Sequence, residues 1–135
     1  MSLDAWITAL HLLSAFAVVG AMVVLWFAYL VVRADGTASA ALGRLFKIGA
    51  VVVGIGLTGT LVFGVWLSIS LDGYEPWDGW VLGALVLWAI AAGTGGRAGK
   101  LSQEPGGVQQ ALVLHTVSSL AIALILIDMI WKPGA

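Results

Sequence analysis

Cysteine is absent from the 135 residues, and charge is scarce: Asp, Glu, Lys and Arg together make up 10%. Proline occurs three times. Each shortage excludes something. Without cysteine there is neither a disulfide scaffold nor a thiolate metal site. Six Lys and Arg against seven Asp and Glu leave a net charge of −1, so no basic surface for nucleic acid can be assembled. Disorder requires low hydrophobicity, and the chain is 61% hydrophobic. A soluble fold of this size would expose too much apolar surface. The composition therefore predicts an integral membrane protein with the lipid bilayer as its first partner. One span takes about 20 residues, so the length accommodates four spans, short loops and no soluble domain.

Hydropathy and breakers place the spans at 5–32, 45–71, 77–95 and 108–131 of a single membrane domain. They are separated by Arg33-Ala34-Asp35-Gly36, by Asp72-Gly73-Tyr74-Glu75-Pro76, and by the run after Gly93-Thr94-Gly95-Gly96. The apolar stretches are continuous rather than alternating, which predicts helices and not a β-barrel. The expected class is all-α: an antiparallel, up-down four-transmembrane-helix bundle. Asp4 and the lack of an early cation do not fit a cleaved signal peptide.

Arg33, Arg44, Lys47, Arg97 and Lys100 cluster at one end of such a bundle, against Lys132 at the other. The positive-inside rule then predicts a multi-pass protein of the cytoplasmic (inner) membrane, with both termini and the acidic 72–78 loop outside. Trp6, Trp77, Trp80 and Trp131 are expected in an aromatic belt at the outer boundary, with Tyr29 and Trp26 at the inner one.

An ionisable residue inside a span marks a functional hypothesis. Three qualify: His11, His115 and Asp128. Asp128 stands four residues before Lys132, the favourable order for a snorkelling surface pair. At 100° per residue His11 shares a face with Asp4, Thr8, Ala15, Val18 and Met22, bordered by Ser14. His115 shares one with Ala111, Ser118, Ser119 and Ile122. Both stripes are small and polar, as expected of bundle-facing surfaces. Val113, Val117, Leu120, Leu124 and Ile127 fall on the opposite, lipid-facing side of the fourth helix.

Each histidine can be a hydrogen-bonded packing residue or a ligand to haem or metal. In span two, Gly54-Ile-Gly56-Leu-Thr-Gly59 matches a dinucleotide fingerprint but lacks its strand–turn–helix context. Its glycines suit either close helix packing through Gly56 and Thr60 or the approach of a flat macrocycle, which makes Gly56 and Thr60 candidate cofactor contacts. Counting along the helices offsets the two histidines by about 16 Å in depth, a strained arrangement for one haem bound by both. Met22 lies near the depth of His115, so a His/Met pair for haem or copper is a further candidate.

The segment Trp6-Ile-Thr-Ala-Leu-His11-Leu-Leu-Ser-Ala-Phe-Ala-Val-Val-Gly20 resembles the first helix of the copper-resistance D (CopD-like) group and of HemJ-type membrane protoporphyrinogen oxidases. Gly56-Leu-Thr-Gly59-Thr-Leu-Val-Phe-Gly64-Val-Trp66 and Gly73-Tyr74 with Trp77 or Trp80 extend the likeness over the first two-thirds of the chain. The resemblance implies b-type haem bound through intramembrane histidine, with His11 at the corresponding first-helix position, or copper handling. The charged intramembrane positions of that oxidase have no counterpart here, and the Met- and His-rich loops of a copper importer are missing.

The resulting expectation is a small b-type haem membrane protein for electron transfer, haem handling or sensing. His11 and His115 are its candidate ligands, and Arg44, Lys47, Arg97 and Lys100 its propionate partners if the haem sits in the inner half. Were it an enzyme, it would be a membrane haem-dependent oxidoreductase; no hydrolytic constellation can be built. The alternatives are an oligomeric proton, ion or copper transporter, or an accessory subunit of a larger membrane complex.

Overall fold

The computed structural model describes residues 2–133, which form four helices: α1 (Leu3–Asp35), α2 (Ala40–Ser70), α3 (Gly79–Leu101) and α4 (Val108–Trp131). There is no strand among the described residues. All four helices are long and apolar enough to cross a bilayer, so the chain is a multi-pass, all-α membrane protein. At 1.5 Å per residue α1, with 33 residues, is about 50 Å long against a hydrocarbon core of about 30 Å. It therefore tilts or projects beyond the hydrocarbon.

Local chemistry sets the ends. The Ser2 hydroxyl caps α1 by accepting from the Ala5 amide, and Ser39 caps α2 by accepting from Leu42. Gly36 closes α1 in the left-handed region at φ 74°, which glycine tolerates without strain. Helix α3 runs on through Gly93-Thr94-Gly95-Gly96 to Leu101. Glycine is a weak helix former in water, but in lipid only a continuous helix satisfies the backbone.

The α1–α2 hairpin is built on glycine. A Cβ added to Gly49 would lie 2.6 Å from Leu25 Cδ2, and one on Gly56 would lie 2.6 Å from Val18 Cγ2. Gly59 meets the Ser14 hydroxyl, and Gly64 meets the edge of the His11 ring. As residue numbers rise on α2 they fall on α1, so these contacts record an antiparallel register. The glycines let the two backbones approach closely, the small-residue packing common in membranes.

The α3–α4 hairpin closes differently. The Ser118 hydroxyl donates to the Ala91 carbonyl at 3.0 Å, opposite Gly95. Interhelical bonds of this kind average about 0.6 kcal/mol in membranes. Ser118→Ala should therefore lower stability by about that amount, read as a small drop in melting temperature in detergent. A loss several times larger would assign Ser118 more than this one bond.

The two hairpins pack less tightly against each other than within themselves, and cavities lie between them. On α4, Ala111, His115, Ser118 and Ile122 are buried, while Val113, Val117, Leu120, Leu124 and Ile127 face outward, as the sequence periodicity predicts. The aromatic residues depart from the expected belts. Trp6, Trp77 and Trp131 are exposed, but Trp80 is turned into the bundle. Tyr29 is also buried, stacked with Phe46 at 4.7 Å. Both occupy space left between hairpins, which helix-by-helix hydropathy does not register.

Candidate functional site: two stacked cavities

The up-down order gives the bundle two distinct ends. The termini and the 71–78 loop mark one; Arg33, Arg44, Lys47, Arg97 and Lys100 mark the other, the basic end. Each half of the interior holds a cavity.

The termini-end cavity has a volume of about 310 Å³ and is lined from all four helices, at the lower edge of the range for small-molecule sites. Its polar lining consists of His11, Thr60, Ser68 and the indoles of Trp80 and Trp88. The exposed side chains Leu12 and Val19 on α1, and Leu126 and Ile130 on α4, stand at its mouth. The cavity thus opens sideways between α1 and α4.

His11 enters this cavity from α1. Its Nδ1 is enclosed and has no hydrogen-bond partner, while the Thr60 backbone lies beside the ring and Gly64 beneath it. With Nδ1 held against α2, Nε2 is the nitrogen left for the cavity. Met129 of α4 lines the same cavity. The depth count along the sequence paired Met22 with His115 and missed Met129. Its signal was available, because Met129 lies near the termini end of α4 as His11 does on α1.

The basic-end cavity, of about 240 Å³, is lined by Met22, Tyr29, Phe46, Gly54, Gly96 and His115 among others. His115 is 2% exposed. Its Nε2 lies 3.3 Å from the Met22 carbonyl oxygen, and its ring packs against Trp26 and Tyr29 at centroid distances of 5.2 and 5.0 Å. Trp26 Nε1 donates to the Ser119 hydroxyl, which itself donates to the His115 carbonyl. Leu57 and Trp88 line both cavities, and the Trp88 indole donates to the Leu57 carbonyl at 2.8 Å, closing a partition between them.

The candidate residues are therefore distributed. His11 and Thr60 share the termini-end cavity; His115 and Met22 share the basic-end one. Thr60 keeps its proton on the Leu57 carbonyl at 2.9 Å. Gly56 lines neither cavity, because α1 covers it: an added Cβ would stand 3.0 Å from the Ser14 carbonyl oxygen. That position serves helix packing rather than a macrocycle. Thr8, placed on the His11 stripe by periodicity, is exposed and donates to its own helix at Asp4 O.

Asp128 and Lys132 part company as well. The lysine amine donates to the Tyr74 hydroxyl and sits 4.2 Å from the Tyr74 ring centroid and 5.5 Å from that of Trp80. Asp128 instead faces Gly83 on α3, and its Oδ2 is enclosed with no partner. The lysine is held by the two rings instead of by Asp128.

No family model, curated protein or solved structure matches the chain. No group of three or more His, Cys, Asp or Glu that could hold a metal ion occurs among the described residues.

Proposed function

We propose that this protein is a small b-type haem-binding membrane protein in which His11 and Met129 of the termini-end cavity would hold the group, the side opening between α1 and α4 leaving room for the part of a haem that about 310 Å³ does not enclose. The observation that supports it is the convergence of an imidazole from α1 and a thioether from α4 on one apolar cavity open to the bilayer. His/Met is an established haem ligand pair. A haem held by His11 and His115 together does not fit, because the Leu57–Trp88 partition stands between their cavities. Arg44, Lys47, Arg97 and Lys100, expected as propionate partners for a haem in the inner half, do not line this cavity. Lys132, over the Trp80 ring that walls this cavity, is the cation nearest the role.

Bound haem would supply a redox-active iron for electron transfer, haem handling or sensing. The chain's own part is to ligate, to enclose, and to shield the site from water with its apolar walls. In this reading the basic end faces the cytoplasm, by the positive-inside rule, and the haem lies in the outer leaflet of the inner membrane.

The test is an absorption spectrum of the detergent-purified protein, as isolated and after adding haemin. A Soret band is expected, lost in His11→Ala, kept in His115→Ala, and shifted in Met129→Leu. A colourless wild-type protein that takes up no haemin overturns the reading. Soft thioether and imidazole ligands also suit Cu(I), so stoichiometric copper in a preparation without a Soret band would transfer the same two residues to copper handling. An ion pathway has less support: no Asp or Glu lines either cavity, and the partition separates them.

A further inference from the structure

The haem reading leaves the basic-end cavity unused. Three of its lining side chains are polar and almost wholly buried: Tyr29 is 1% exposed, His115 2% and Ser102 9%. In a protein interior such groups are normally hydrogen-bonded to completion. Here they are not. The Met22 carbonyl can only accept, so His115 Nε2 must carry the proton that lies between them. In a neutral imidazole the other nitrogen is then an unprotonated acceptor. Nδ1 makes no hydrogen bond among the described residues, yet it is not one of the sealed unpartnered atoms, which are His11 Nδ1, Trp80 Nε1 and Asp128 Oδ2. The ring that carries it lines the cavity. The Tyr29 hydroxyl lies beside Ser102 and 3.5 Å from the Ala98 carbonyl oxygen, at the outer limit of a hydrogen bond, so its proton is weakly held. The cavity thus presents one free acceptor and one loosely engaged donor, while its other polar lining groups, Thr58, Trp88 and Ser102, donate to helix carbonyls.

The way in is as specific as the lining. Helices α2 and α3 meet near the basic end, where a Cβ on Gly99 would stand 3.2 Å from the Ala50 Cβ, and again at the Trp88–Leu57 bond. Between these contacts Gly54 and Gly96 are exposed, line the cavity, and have nothing within 4 Å of an added Cβ. Two missing side chains leave a slot that opens sideways, within the span, where a ligand arrives from the hydrocarbon and not from water. A cavity of about 150 Å³ takes up benzene, so about 240 Å³ holds one substituted ring but leaves a long tail outside.

We propose that the basic-end cavity binds the ring of a membrane-dissolved hydroquinone, entering laterally through the Gly54–Gly96 slot between α2 and α3. One phenolic hydroxyl donates to His115 Nδ1, the other oxygen accepts from Tyr29, and the tail stays in the lipid. This site is separate from the haem cavity and does not depend on it.

The full chain in lipid nanodiscs, without added haemin, is incubated with a short-tailed benzoquinol, its oxidised quinone, or its dimethyl ether, and retained compound is compared with empty discs. Saturable excess binding of the quinol is expected. The quinone and the dimethyl ether, which have no proton to give Nδ1, should bind about tenfold more weakly, the loss of one good hydrogen bond. The double variant Gly54→Leu, Gly96→Leu should lose most of the binding at an unchanged melting temperature. Absence of saturable quinol binding overturns the proposal, as does equal binding of quinol and dimethyl ether. Neither result depends on a variant folding, and neither bears on the Soret test.

Discussion

Gly56→Leu is expected to disrupt the α1–α2 hairpin, lowering stability by about 3 kcal/mol or more, the upper range for overpacking. The first added carbon already stands 2.6 Å from Val18 Cγ2, 3.0 Å from the Ser14 carbonyl oxygen and 3.3 Å from the Val18 amide nitrogen. Two of these three atoms are backbone. A side chain can change rotamer, but a helix backbone can yield only by moving the helix. Moving α1 away would also open the contacts of Gly49 with Leu25, Gly59 with Ser14 and Gly64 with His11, since all lie along the same seam. With folding free energies of about 5–15 kcal/mol, that loss is a large share of the total. Gly54→Leu is the control. It lies two residues away on the same helix, has open space around it, and should change stability by no more than about 0.5 kcal/mol. Thermal unfolding in detergent, followed by near-ultraviolet circular dichroism, compares the two. Equal melting temperatures would mean that the close glycine seam does not hold the hairpin together.

The same seam shows what a sequence can and cannot convey here. Span number, helix class and the buried face of α4 follow from hydropathy and a 100° period, because both are properties of one helix at a time. The glycines of α2 admitted two readings. Only the pairing with α1 decides between them at Gly56, whose missing side chain is filled by Ser14 and Val18. Met129 is hard to assign for a related reason: its depth near the termini end of α4 is countable, but which residue shares a cavity with His11 depends on how two hairpins splay. Trp80 and Tyr29 were read as belt residues from their positions near span ends, yet each fills a gap between helices. The separation of the histidines did survive translation into three dimensions. A count of turns places them at different depths, and they line different cavities whose walls share Leu57 and Trp88.

The two histidines should differ sharply when removed. His115→Ala is expected to cost about 2–4 kcal/mol, within the range for deleting a large buried side chain. The substitution empties a site that is 2% exposed, takes away the contacts with Trp26 and Tyr29, and releases the hydrogen bond to the Met22 carbonyl. Met22 O belongs to the interior of α1, where the helix already supplies it a donor, so the loss is mostly packing rather than an orphaned acceptor. His11→Ala removes a half-buried ring whose Nδ1 has no partner, and should cost the apoprotein less than about 1 kcal/mol. Unfolding in one detergent, without added ligand, gives the order directly, and the reverse order would make His11 the structural histidine. Haemin then separates ligation from packing. A ligand present at a hundred times its dissociation constant stabilises the folded state by about 2.7 kcal/mol. That increment is expected in wild type and, on its lowered baseline, in His115→Ala, and should vanish in His11→Ala. An equal increment in all three proteins would place haemin somewhere other than the cavity that His11 lines.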